Sequence, residues 1–403
     1  MRLRTRLFFF LVPLALLWSA SVWLGGGVEG AERGKLGAVV NPTVAVRLEE
    51  HLGSDGVDLR LRGSWRMLRA DGKVLHQGTE FEGRLAVDAS GARVGAWRPR
   101  VDRFRLEADG DAAVGIADRW YRGKLDVRVL RSGTTGLPSG LDLRLELPLE
   151  DYVVGVVCGE MPTGKAEAAG ALSAQAVAAR TYALYRLRAG REFLRDDARD
   201  QRFLGVDFET EAARVAVRES LGQVLFWDGE LLPAYYHAQC AGHTADAAAL
   251  GFVKRGIAPL AGVDDPGCRD PYGWEQTVPA AHLDRLAREH ELGTWVQRIE
   301  IRERGAGGRC VSARVSGDLR MQHFRGEDLR PWLDLPSTVW RDLLPTEDGS
   351  LTVRGAGRGH GVGMCQEGAL RRARNGMTAE EILGHYYPGA VLRFLLEPGT
   401  AAL

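Results

Sequence analysis

The sequence predicts an α+β protein: an antiparallel, β-rich platform followed by a helical segment and then by alternating short helices and strands. Three observations carry that expectation. Apolar residues recur with a period of two from Val44 to Leu149. From Glu150 to Gly190 the chain turns Ala-rich and takes helical spacing. Beyond Gly190 short runs of both kinds alternate, with no internal repeat and no low-complexity block.

The chain has 403 residues, 45 % apolar and 26 % charged, which is ordinary for a globular protein with two or three domains. Its formal net charge is zero, so charge gives no case for nucleic acid or an acidic membrane as partner. Arg2, Arg4 and Arg6 precede an apolar run from Leu7 to Leu24. That is an export signal, and both a cleaved signal and an uncleaved membrane anchor fit its length. Residues 1–28 are read as this signal or anchor and 29–42 as a Gly- and charge-rich tether. The rest is placed outside the cytoplasm, where disulfides are permitted. Five cysteines are an odd number, so at least one is free, metal-bound or paired between chains.

In residues 43–149, Val44, Val46 and Leu48 alternate with polar partners, as do Leu125, Val127 and Val129, and Leu141 through Leu147. Turns such as Asp71-Gly72 separate the runs. This pattern predicts antiparallel sheet with one wet face. Gly155 to Glu160 reads as an apolar, strand-like run that ends on a carboxylate, and Met161-Pro162 then breaks the backbone. A helix is predicted from about Lys165 to Ala189, closed by Gly190, with a narrow packing stripe of small residues at Leu172, Ala176, Ala179 and Ala183. Further helices are predicted over 209–221, 280–291, 326–333, 365–375 and 378–386. The last has Thr378 as N-cap and Glu381 three residues on. Strands are expected near 222–226, 231–242, 297–315 and 351–363.

Three stretches carry chemistry. A glutamate at the end of an apolar run can have its pKa raised by desolvation and so donate a proton near neutral pH; the alternative for Glu160 is a carboxylate that complements a helix N-terminus. Gly355 to Gln366 alternates glycines around His360, which lets a ligand or another backbone come close. A nucleotide-binding loop is disfavoured there, because no βα unit follows and no Gly-Lys-Ser/Thr is present. His237, Cys240 and His243, with Cys268, make up a set for a tetrahedral structural Zn²⁺. A Cys240–Cys268 disulfide and plain loop residues are the other two readings.

Taken together, Leu147 to Tyr152, Glu160-Met161-Pro162, Ala174 to Leu184, Tyr235-Tyr236-His237, Gly242-His243-Thr244, Gly357 to Met364 and His385 to Gly389 resemble the stage II sporulation protein D family (SpoIID/LytB), in that family's order. The resemblance covers about residues 120 to 397. It implies a catalytic core over 150–397 with its first strands from about 120, a groove for glycan strands, and peptidoglycan lytic transglycosylase activity with Glu160 as catalytic acid. It also implies zinc near the Tyr-Tyr-His segment in some members, and relatives that enhance a wall amidase. No cofactor is required for the chemistry.

On this footing Gln175, Arg180, His360 and Gln366 are the expected substrate-binding or acid-orienting residues, with a buried brace as the other role for Gln175 and Arg180. The pattern departs from the family at Ser173, where lysine is frequent, at Cys365, where serine is usual, and at Cys158, where a small residue is usual. A Cys158–Cys365 disulfide is one expectation that follows from placing both motifs in one site.

Overall fold

The computed structural model describes residues 41–110, 113–164 and 168–395. The signal or anchor lies outside the described residues. So do the tether, apart from Asn41 and Pro42, and the helix start expected at Lys165. Among the described residues no helix is long and apolar enough to cross a membrane.

The platform is a single sheet. Its strands are β1 (Thr43–Arg47), β2 (Gly56–Arg69), β3 (Val74–Asp88), β4 (Gly91–Val94), β5 (Arg103–Ala108), β6 (Val114–Ile116), β7 (Arg119–Tyr121), β8 (Lys124–Arg131) and β9 (Pro138–Pro148). They are joined at one edge by β10 (Leu194–Arg195). The order is β10-β1-β9-β8-β5-β2-β3-β4, with β6 on β2 and β7 on β6, and every pair is antiparallel except β1–β10.

The alternation explains the pleat, because Leu141, Leu143, Leu145 and Leu147 all turn into the core. The opposite face is drier than the sequence suggests. Asp126, Asp142 and Arg144 are buried there: Arg103 and Arg128 each reach Asp126 at 2.9 Å, and Arg144 forks onto Asp142 at 2.7 Å and lies over the Phe193 ring. Buried charges persist only when paired in this way.

The next element departs from the strand-like reading of Gly155 to Glu160 and keeps the helical character read from Glu150 on. Residues Leu149–Glu160 form a helix, α1, not a strand. Leu149, Tyr152, Val153, Val156 and Val157 are fully buried at helical spacing, so packing of that stripe outweighs the β-propensity of four valines. The N-terminus of α1 is capped from outside, where Asn41 Oδ1 accepts the Glu150 amide.

Helix α2 (Ala169–Arg188) is central. Every residue from Ala171 to Ala183 is buried, so small side chains face neighbours all round and not along one narrow stripe. Packed on it are α1, α3 (Glu211–Glu219) and β11 (Gln223–Trp227). Next in the chain come β12 (Glu230–Leu231) and β13 (Tyr236–His237).

The segment from 274 to 356 builds a second hydrophobic core around Leu286, Val315, Leu329, Trp340 and Val353. It contains β14 (Trp274–Val278), α4 (Ala280–Glu289), β15 (Val296–Arg304), β16 (Cys310–Gly317), β17 (Met321–Arg325), α5 (Gly326–Trp332), β18 (Val339–Pro345) and β19 (Leu351–Ala356). The chain then returns to the first core through β20 (Met364–Cys365), α6 (Gln366–Arg374), α7 (Ala379–Tyr386) and β21 (Val391–Phe394). Both α6 and α7 pack on α2. The Thr378/Glu381 capping box forms as the sequence predicts.

Candidate active site around Glu160

Glu160 is the last residue of α1, so the alternative of a carboxylate at a helix N-terminus does not apply. Gly155 and Gly159 sit four residues apart on this helix and leave one face bare. The loop after β10 fills that face. A Cβ at Gly155 would overlap the Phe203 ring, and one at Gly159 would overlap the Arg202 carbonyl oxygen. This close approach lets the Arg202 amide donate to Glu160 Oε1 at 2.8 Å. Gln201 secures the same loop by donating to the Tyr152 hydroxyl at 3.1 Å and accepting from the Tyr236 hydroxyl at 2.8 Å.

Gln366, the first residue of α6, donates from Nε2 to Glu160 Oε2 at 3.2 Å and to Gln175 Oε1 at 3.4 Å. The structure thus brings Glu160, Gln175 and Gln366 together. Burial raises the Glu160 pKa above the usual carboxylate range; the Arg202 amide and Gln366 pull it part of the way back. The carbonyl end of α1 acts in the same upward direction.

Arg180 is placed elsewhere. It is fully buried and forks onto Glu150 at 2.8 and 2.6 Å, with a third bond to the Gln223 carbonyl on β11. Its donors are spent bracing α1, α2 and β11, so it is the buried brace and has no surface for substrate. His360 packs against the rings of Phe252 and His237 and accepts the Val362 amide on Nδ1. Burial, with Arg330 and Arg309 nearby, lowers its pKa to about 3 and keeps it neutral. Its glycines have a packing cause: Gly363 passes so close to the Tyr235 carbonyl that any Cβ would collide.

The expected metal set does not assemble. His237 bonds the Val362 carbonyl through Nδ1, and its Nε2 has no partner. His243 turns to the Thr244 carbonyl and to Asp264. Cys240 and Cys268 instead meet Cys365 and Asp265. All five cysteines are free thiols, so neither the Cys240–Cys268 nor the Cys158–Cys365 disulfide is formed. Cys158 faces Thr210.

Sequence reasoning missed Gln201, Arg202 and Phe203. The signal that could have found them is the four-residue spacing of Gly155 and Gly159, which marks a helix face open to a backbone.

Fold and site define a class: an α+β protein with one desolvated carboxylate at a helix C-terminus, held by a backbone amide and a glutamine. The family model described as stage II sporulation protein matches residues 139–227, the span that holds Glu160, Gln175 and Arg180. The chain is 32 % identical over 252 residues to an uncharacterized protein of Brachyspira hyodysenteriae (60 % of this chain, 66 % of that one). It is 28 % identical over 275 residues to stage II sporulation protein D of Bacillus subtilis (60 % and 74 %). It is 25 % identical over 289 residues to the amidase enhancer of the same organism (59 % and 40 %). The chain belongs to the stage II sporulation protein D family, SpoIID/LytB.

Proposed function

We propose that the protein acts on the bacterial cell wall as a peptidoglycan lytic transglycosylase, on the outer side of the cytoplasmic membrane. The observation that carries this is the single carboxyl of Glu160. It is desolvated, and the groups that set its ionisation are Arg202 and Gln366, with no second acid among them. Hydrolysis by an ordinary glycosidase uses two carboxyl groups. One suffices when the nucleophile belongs to the substrate.

Protonated Glu160 would give its proton to the oxygen joining N-acetylmuramic acid to N-acetylglucosamine as the anomeric C–O bond breaks. The resulting carboxylate would take the proton of the muramic acid 6-hydroxyl as that oxygen bonds to the anomeric carbon. The products are a 1,6-anhydro end and a free 4-hydroxyl, with no water added. The intramolecular attack gains from proximity.

The likeness to an amidase enhancer supports a second reading, in which the chain binds glycan and stimulates a wall amidase without cutting. Mass spectrometry of digested glycan strands separates the two. Anhydro ends from the wild type and none from Glu160→Gln are expected. Hydrated reducing ends would sink the transglycosylase reading, and amidase stimulation that survives Glu160→Gln, with no cleavage, would establish the other.

A further inference from the structure

Four buried side chains converge where the sequence had suggested something else. Cys240, Asp265, Cys268 and Cys365 each offer a ligand atom, and these atoms all lie within 4.8 Å of one another. They come from three segments: the turn after β13 gives Cys240, the 264–268 loop gives Asp265 and Cys268, and β20 gives Cys365. The three cysteines are fully buried and Asp265 is 2 % exposed. The Cys268 and Cys365 sulfurs are 3.5 Å apart, and Cys240 Sγ is 3.6 Å from Asp265 Oδ2. A tetrahedral zinc with sulfur at about 2.3 Å has edges of about 3.8 Å, so the spacing suits a shared metal; a disulfide would need about 2 Å.

The surroundings suit bound anions. The Cys240 and Gly368 amides point at Cys365 Sγ, and the Gly242 amide points at Cys240 Sγ. Asp265 is held by Tyr386 at 2.6 Å and by Arg372 at 3.0 Å, an outer shell that fixes a ligating carboxylate. Arg309 is fully buried with no carboxylate among its hydrogen-bond acceptors, and it donates to the Cys240 carbonyl. Three thiolates and a carboxylate with one divalent ion leave a net charge of −2. Arg309, Arg371 and Arg372 are the cations that would offset it. An open pocket of about 430 Å³ is lined by Ala241 and Asp264, the sequence neighbours of Cys240 and Asp265.

We propose that Cys240, Cys268, Cys365 and Asp265 form a closed structural zinc site, which keeps Cys240 and Cys268 of the set expected from the sequence and has Cys365 and Asp265 in place of His237 and His243. Binding displaces the three thiol protons into solvent and leaves no open coordination position. It clamps the Gly-rich turn to the β13 strand one residue before Gln366, and so fixes the end of α6 that touches Glu160. This rests on the donors alone and not on the transglycosylase reading.

The test uses the full chain, purified under reducing conditions and titrated with zinc. One zinc per chain is expected, with the three thiols shielded from alkylation until a chelator removes the metal. Cobalt in place of zinc should show thiolate charge-transfer absorption, a readout that needs no variant. Cys365→Ser and Cys268→Ser should bind zinc at least about a hundredfold more weakly, while Cys310→Ser and Cys158→Ser bind as the wild type. Failure to bind zinc with all three thiols reactive would overturn the proposal. So would a Cys268–Cys365 disulfide in protein isolated without reductant, or zinc affinity unchanged in Cys365→Ser.

Discussion

At the scale of the residue, the position of Glu160 has an energetic consequence. Its carboxyl is half-buried at the carbonyl end of α1, and desolvation raises its pKa. A raised folded-state value means that the protonated form contributes stability. That contribution is full below the ordinary carboxylate range and is lost as pH rises through the raised value. Glu160→Gln, neutral at every pH, should therefore melt higher than the wild type near pH 7, and the gap should close as the solution is acidified. Calorimetry at a series of pH values checks this. A wild type that is the more stable at pH 7 would show that Glu160 is not held against ionisation. Gly159 offers a second residue-scale prediction. Gly159→Ala drives a methyl into the Arg202 carbonyl, so the loop must shift and the amide bond to Glu160 is lost. Overpacking of this kind costs about 1–3 kcal/mol, and glycan cleavage should fall with it.

At the scale of the element, α2 is a scaffold whose one buried cation ties three elements together. Arg180 has a carboxylate partner, Glu150, and a carbonyl partner on β11. Removing it leaves Glu150 charged, largely buried and unpaired. Arg180→Ala should lose about 3–5 kcal/mol in denaturant unfolding. A loss below 1 kcal/mol would mean that the brace contributes little. The loop 201–203 shows why some of the site was not legible in the sequence. Its residues carry no motif of their own, and the contact that reaches Glu160 is the Arg202 backbone amide, which has no sequence signature. Only the bare face left by Gly155 and Gly159 hints at them.

At the scale of the molecule, two neutral histidines, His237 buried and His360 half-buried, lie where the Gly-rich turn meets the Tyr235–His237 strand. Burial lowers both, His360 to about 3 and His237 well below its usual value, with arginines adding to the effect. Depressed values on bases mean that their stability is present above about pH 6.5 and is lost as pH falls toward about 3. The groups facing them are Arg309 and Arg330, so no acid offsets the protonation. Stability should drop across that window, and more shallowly in His360→Gln, as measured by denaturant midpoints at stepwise pH.

The period-two strands, the capping box at Thr378, and the place of Glu160 next to a chain break were all fixed locally, by alternation and by turn chemistry that need no partner. The helical state of α1 was not, because packing of its buried stripe had to outweigh the β-propensity of its valines. What only the tertiary structure decided is which distant groups meet. Gln366 reaches Glu160 across 206 positions, and Cys365 reaches Cys268 across 97. No local pattern encodes such pairs, because they are set by how α1, α2 and α6 pack once the core closes. By the same closure Arg180 became a brace, and His237 was parted from Cys240.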